Sequence, residues 1–169
     1  MQFKPELAQK ILLNLKTQTR RTVKAGEHLV IRENGDKAVF SVDPLRLKWL
    51  TGQTYAIQPG RGKKAIGYFT LLDIQQERVQ NISETDAIAE GVDKNCLGDW
   101  ENCPGCLKQE YCIAEGEYHH YLRDLDDFPA YSATESFLSL FESINGAAAL
   151  DKEVWVLTFE VVKNENPQS

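Results

Sequence analysis

The chain has 169 residues, 42% of them hydrophobic and 26% charged, a length and balance that suit one globular domain with an apolar core of its own. Its formal net charge of −6 argues against a protein that grips long nucleic acid through a wholly basic surface, because such binding neutralises many phosphates. No apolar run approaches the roughly 20 residues that span a bilayer, so no membrane segment is expected.

Met1-Gln2-Phe3-Lys4-Pro5-Glu6 lacks the charged, apolar and small-residue series of a signal peptide. The expected location is the cytoplasm, with reduced thiols. Leu7, Ile11, Leu12 and Leu15 fall on one face behind Pro5, which predicts a helix over 5–15. In Lys16-Thr17-Gln18-Thr19-Arg20-Arg21 the threonines lower helix propensity, and Gly26 then breaks the chain, so a polar loop is predicted. Strands are predicted at 28–32, 38–42 and 54–58, with Asn34-Gly35 as a hairpin turn. The stretch 64–79 is apolar, β-branched and too long for one flat strand, with Gly67 as a candidate bulge.

Ser83-Glu84-Thr85-Asp86 has the form of a helix cap and predicts a short helix through Glu90, ended by Gly91. Ser132 and Glu135 start a second helix in the same way, with Phe137, Leu138, Leu140, Phe141 and Ile144 as its buried side and Gly146 past its end. Residues 154–162 are apolar or β-branched at nearly every position, as in a strand covered on both faces. Strands at both ends of a chain with few helices predict an α+β fold built on a small, closed or nearly closed β-barrel. The expected organisation is one domain over 1–163 and a disordered tail at 164–169.

Charge is unevenly distributed. Lys10, Lys16, Arg20, Arg21 and Lys24 crowd the first quarter, Arg61, Lys63 and Lys64 form a second knot, and acidic residues gather after Glu84. A local anion site is compatible with that pattern. Glycines on both sides of Arg61 allow a tight backbone that exposes donors, although the spacing is not that of a Walker loop. Tyr55, Tyr68, Phe69 and Trp155 are candidates to stack a base, but aromatics in a barrel are more often core, and Trp155 is read as core first.

All four cysteines, Cys96, Cys103, Cys106 and Cys112, lie within seventeen residues as C-x6-C-x2-C-x5-C. In the cytosol this favours a metal knuckle over disulfides. Structural zinc is the first choice and an iron–sulfur cluster the alternative. His119 and His120 are near enough to replace a cysteine, or are plain surface residues. No organic cofactor is expected.

Three stretches together resemble one known family. They are Leu15-Lys16-Thr17-Gln18-Thr19-Arg20-Arg21; Gln76-Glu77-Arg78-Val79-Gln80-Asn81-Ile82-Ser83-Glu84-Thr85-Asp86-Ala87-Ile88-Ala89-Glu90-Gly91; and Phe141-Glu142-Ser143-Ile144-Asn145-Gly146 followed by Val154-Trp155-Val156-Leu157-Thr158-Phe159-Glu160. Their order and separation are similar to those of the ASCH family of PUA-like barrels. The resemblance implies a small barrel with helices at its rim, and a cleft between the first loop and the helix carrying Glu90. Members include RNA-binding modules and small bacterial amidohydrolases that remove an acyl group from the exocyclic nitrogen of cytidine. In the latter the chemistry is assigned to a lysine, a threonine three residues later and a glutamate near a helix end, matched here by Lys16, Thr19 and Glu90. Residues 93–131, with the cysteines, are an insert that minimal members lack.

The expectation is therefore hydrolysis of an N4-acylcytidine such as N4-acetylcytidine, or of a related modified nucleoside, with Lys16, Thr19 and Glu90 catalytic and Arg20, Arg21, Arg61 and Lys63 binding substrate. Two role assignments stay open: a neutral Lys16 as base for Thr19, or Glu90 as base with protonated Lys16 stabilising the oxyanion. The alternative function is a noncatalytic RNA-binding module, with a ribonuclease behind it. The expected partners are a small modified nucleoside and, in the alternative, RNA. Sequence leaves the oligomeric state open.

Overall fold

Residues 1–92 and 132–162 are described in the computed structural model. The first helix, α1 (Pro5–Leu12), carries Pro5 in its first turn and buries Leu7, Ala8 and Ile11. It stops short of Leu15 because Asn14 takes a left-handed φ of 58°, which asparagine tolerates better than most residues. The carbonyl of Lys10 then accepts from both Leu15 N–H (2.8 Å) and Lys16 N–H (3.2 Å). The predicted polar loop is instead a strand, β1 (Gln18–Thr22). Gln18-Thr19-Arg20-Arg21-Thr22 has little apolar pattern of its own, and pairing decides its conformation.

The next three strands, β2 (Glu27–Ile31), β3 (Lys37–Val42) and β4 (Leu45–Leu50), form an antiparallel sheet in that order. Asn34 and Gly35 lie in the β2–β3 turn, where Gly35 holds a φ of 86°. Strand β4 was not among the expected strands, although Leu45 and Leu47 alternate with Arg46 and Lys48. Val39 opposes Trp49 while Phe40 opposes Leu47, so Lys48 is an extra residue, a bulge in β4.

The second sheet adds β5 (Thr54–Ile57), β6 (Gly67–Arg78) and β7 (Glu153–Val161), in the order β1-β7-β6-β5. Gly67 opens β6 opposite Ile57 and leaves room for Leu12: a Cβ there would sit 2.6 Å from Leu12 Cδ2, so that side chain would have to shift. The long strand changes face further on. Phe69 and Leu71 point inward at a spacing of two, but the next inward residue is Ile74, three positions later.

Two apolar clusters fill this part of the chain. Phe3, Leu7, Ala8 and Ile11 meet Ile57, Phe69 and Phe159, with the Phe69 and Phe159 ring centroids 4.5 Å apart. Val39 and Trp49 of the three-stranded sheet meet Leu71, Ile74, Trp155 and Leu157 of the four-stranded one. The expected barrel is corrected here. Among the described residues there are two antiparallel sheets and no closed barrel: the sheets bury their faces against each other instead of continuing one ladder.

The chain divides into two compact units, Met1–Glu77 with Glu153–Ser169, and Arg78–Lys152. The second holds a 3-10 turn (Val79–Asn81), α2 (Glu84–Ala89), α3 (Ala133–Asn145) and a second 3-10 turn (Ala147–Ala149). Both predicted caps form: Ser83 Oγ accepts from Asp86 N–H (3.1 Å) and Ser132 Oγ from Glu135 N–H (3.0 Å). Ala133, Ser136, Phe137, Leu140 and Phe141 make the buried stripe of α3. Ile144, expected on that stripe, is exposed, because packing ends before the last turn. No helix among the described residues is long and apolar enough to cross a membrane.

Trp155 is core, as expected, and its indole Nε1 donates to Glu27 Oε2 at 2.8 Å. Glu27 also accepts from Lys24 N–H (3.2 Å) and is ion-paired with Lys48. Burial pushes the Glu27 carboxyl up, but donation from Lys48, Trp155 and the Lys24 N–H outweighs it, so its pKa lies below the usual value near 4.5. A depressed carboxylate contributes stability above its unfolded pKa and loses it as pH falls through the folded one. Glu27→Gln should therefore cost about 1–3 kcal/mol in urea unfolding at pH 7, and the gap to wild type should close as pH drops below 4.5. A gap independent of pH would show that the charge is not what matters.

Candidate functional site

The site is built on β1 and the turn before it. Strand β1 runs antiparallel to β7, with Thr19 opposite Leu157 and Arg20 opposite Val156. Successive residues of a strand face opposite ways, so Thr19 shares the core-facing side of Leu157 and Arg20 takes the other. Both are buried, at 3% and 4% exposure. The Thr17 carbonyl accepts from Phe159 N–H (2.9 Å), which extends the pairing back toward the turn. Lys16, held by its backbone bond to Lys10, is 1% exposed.

Burying a guanidinium requires partners for it. Arg20 Nε donates to Glu77 Oε1 at 2.8 Å, and its Nη1 to Gln18 Oε1 at 3.2 Å. Glu77 lies on β6 beyond its change of face. Sequence reasoning missed this ion pair; nothing in the spacing of Arg20 and Glu77 marks it, since it depends on strand order. Arg21 is bound too, through Nη2 to the Gln2 carbonyl (2.7 Å) and with its guanidinium over the Phe3 ring, 5.1 Å from the centroid. Arg61 and Lys63 lie exposed on a glycine turn, with Gly60 and Gly62 at φ 119° and 72°. Of the four expected substrate-binding residues, Arg20 thus lies inside the protein while Arg61 and Lys63 face solvent.

Glu90 belongs to the second unit. It caps the C-terminus of α2, its N–H donating to the Asp86 carbonyl (2.9 Å), and Gly91 at φ 79° turns the chain away. Its side chain is among the buried polar groups, at 4% exposure. Helix α2 is tied to α3 by Glu84, whose two carboxylate oxygens accept from Ala133 N–H (2.9 Å) and Thr134 N–H (3.1 Å). A carboxylate there also meets the favourable end of the helix dipole. Burial pushes the Glu84 carboxyl up, but these bonds and those of the Thr134 and Ser132 side chains bring it below the ordinary range.

Cys96, Cys103, Cys106, Cys112, His119 and His120 lie outside the described residues. Among the described residues no cluster of histidine, cysteine or acidic side chains has the makings of a metal site.

No family model matches the chain, and no curated protein matches it. Solved structures do resemble it. An ASCH domain is among them. That domain, from Lactobacillus crispatus JV V101, has a TM-score of 0.46 at 14% identity, over 92% of this chain and 70% of its own. Protein EF3133 from Enterococcus faecalis V583, of family-model DUF984, likewise has a TM-score of 0.46, at 15% identity, over 93% of this chain and 70% of its own.

The contrast between Arg20 and the glycine turn gives a stability test. Glu77→Ala should cost about 2 kcal/mol or more, because it removes the carboxylate that faces a buried cation, whereas Arg61→Ala and Lys63→Ala should stay within about 0.5 kcal/mol. Chemical denaturation of the three variants measures the difference, and equal effects would contradict the placement of Arg20.

Proposed function

We propose that the protein is an amidohydrolase that removes the acyl group from an N4-acylcytidine, N4-acetylcytidine in the simplest case, through Lys16, Thr19 and Glu90. The observation that carries this reading is burial. A lysine, a threonine and a glutamate, the same three that the family resemblance marks, are 1%, 3% and 4% exposed, although lysine and glutamate are almost never fully buried without a specific reason. Amide hydrolysis needs a nucleophile, a base and a donor for the developing oxyanion. By residue chemistry Thr19 supplies the hydroxyl, Glu90 accepts its proton, and the Lys16 ammonium stabilises the oxyanion. Protonation of the departing N4 amine and hydrolysis of the acyl-threonine by water complete the cycle.

Cytidine release from N4-acetylcytidine tests it. Lys16→Ala, Thr19→Ala and Glu90→Gln should each lower turnover by about two orders of magnitude. Thr19→Ser should keep part of the activity, and mass spectrometry of a slow substrate should find acyl on Thr19. Lys16→Arg keeps the charge and misplaces the compact donor, so wild-type turnover in that variant would remove Lys16 from the mechanism. Absence of turnover on every N4-acylcytidine would leave the noncatalytic RNA-binding module, which the exposed Arg61 and Lys63 favour.

From the cysteine spacing we also propose one structural metal centre per chain, held by Cys96, Cys103, Cys106 and Cys112 as thiolates. Elemental analysis should find about one zinc without colour, or iron with broad visible absorption if the centre is a cluster. Neither metal in anaerobically purified protein would overturn the assignment.

A further inference from the structure

A second polar site lies on the three-stranded sheet and shares no residue with the one above. Cross-strand register sets Glu27 opposite Ser41 and Ser41 opposite Arg46, so the three form a row across one face. The bulge enlarges it. With Lys48 as the extra residue, Trp49 falls on the same face as Arg46, and the Lys48 ammonium reaches over the Trp49 ring, 4.2 Å from its centroid. Lys24 and Pro44 complete the walls of an open cavity of about 370 Å³, within the roughly 300–1,000 Å³ of small-ligand sites.

The charges in this cavity do not cancel. Glu27 is committed to Lys48, to the Trp155 indole and to the Lys24 backbone. That leaves the Lys24 ammonium and the Arg46 guanidinium, neither of which has a side-chain hydrogen bond or ion pair among the described residues. Both cations are exposed, yet the wall between them is rigid: a buried carboxylate with three donors fixes Lys48, and the paired register fixes the base of Arg46. Bulges commonly re-aim a side chain at a functional site.

We propose that this cavity binds the phosphate group of a nucleotide-sized ligand, with Arg46 offering its planar fork, Lys24 a point charge, and Lys48 on Trp49 the floor. Guanidinium donors match phosphate oxygens two at a time, and charge-assisted bonds of this type are the strong ones. A mononucleotide and an RNA backbone both present such a group.

Calorimetric titration of the full chain with inorganic phosphate, CMP, cytidine and a short single-stranded RNA tests the proposal. Phosphate and CMP should bind, and more weakly as salt rises. Arg46→Ala and Lys24→Ala should each weaken CMP about tenfold, the scale of one charge-assisted hydrogen bond, and should leave cytidine binding unchanged. RNA bound more tightly than CMP, and weakened by the same substitutions, would identify the backbone as the source; RNA no tighter than CMP would identify the mononucleotide. No binding of phosphate or CMP, or an unchanged CMP affinity in the Lys24→Ala/Arg46→Ala double variant, would overturn it. Turnover of N4-acetylcytidine, which has no phosphate, should be unaffected by Arg46→Ala, so this site and the hydrolytic one succeed or fail separately.

Discussion

Residues 154–157 of β7 are all buried, and a strand covered on both sides leaves its neighbours no cheap way to carry polar groups. Each such group beside it has a partner or is enclosed with its neighbours. On one side, Trp155 brings an indole N–H into the core and meets Glu27. On β1, alternate residues go to opposite faces of the same covered layer, so Thr19 and Arg20 are both shut away from water. Arg20 in turn depends on Glu77, which reaches it only because β6 changes face between Leu71 and Ile74.

The same constraint explains why chemistry and structure are hard to separate on β1. A threonine at position 19 is compatible with a strand on any ground, since β-branched residues suit pleated surfaces. A lysine enclosed in the preceding turn is different, because folding must desolvate it. At Arg20 the same demand is met by an ion pair with Glu77, two strands away. The two basic stretches of the sequence thus differ in kind: Arg20 is joined to the scaffold, whereas Arg61 and Lys63 on their glycine turn stay open to solvent.

What was legible in the sequence was mostly local. Pro5, Ser83, Ser132 and Gly91 mark helix ends because capping involves residues only a few positions apart, and the two-sided burial expected over 154–162 holds for residues 154–157, whereas Glu160 and Val162 are exposed near the strand's end. Strand β1 was not legible, since Gln18-Thr19-Arg20-Arg21-Thr22 becomes a strand only by pairing with residues more than 130 positions later. Strand β4 was legible in the alternation of Leu45, Arg46, Leu47 and Lys48, and was overlooked. The barrel expectation failed because strand content does not say whether two sheets close on each other or stack. Lys16, Thr19 and Glu90 stood out only through a family resemblance; taken singly, each reads as an ordinary polar residue.

The Glu84 clamp has a consequence for how this chain tolerates change. Through it the chain that leaves α2 after Val92 and the chain that resumes at Ser132 are anchored within one short helix of each other. The clamp joins positions 49 residues apart, and the entropy of joining two points along a chain grows only logarithmically with their separation, by about 0.6 kcal/mol for each doubling of length. A change in the number of residues between positions 92 and 132 would therefore alter the cost of docking α2 on α3 only slightly, as long as Glu84 and the first turn of α3 are kept.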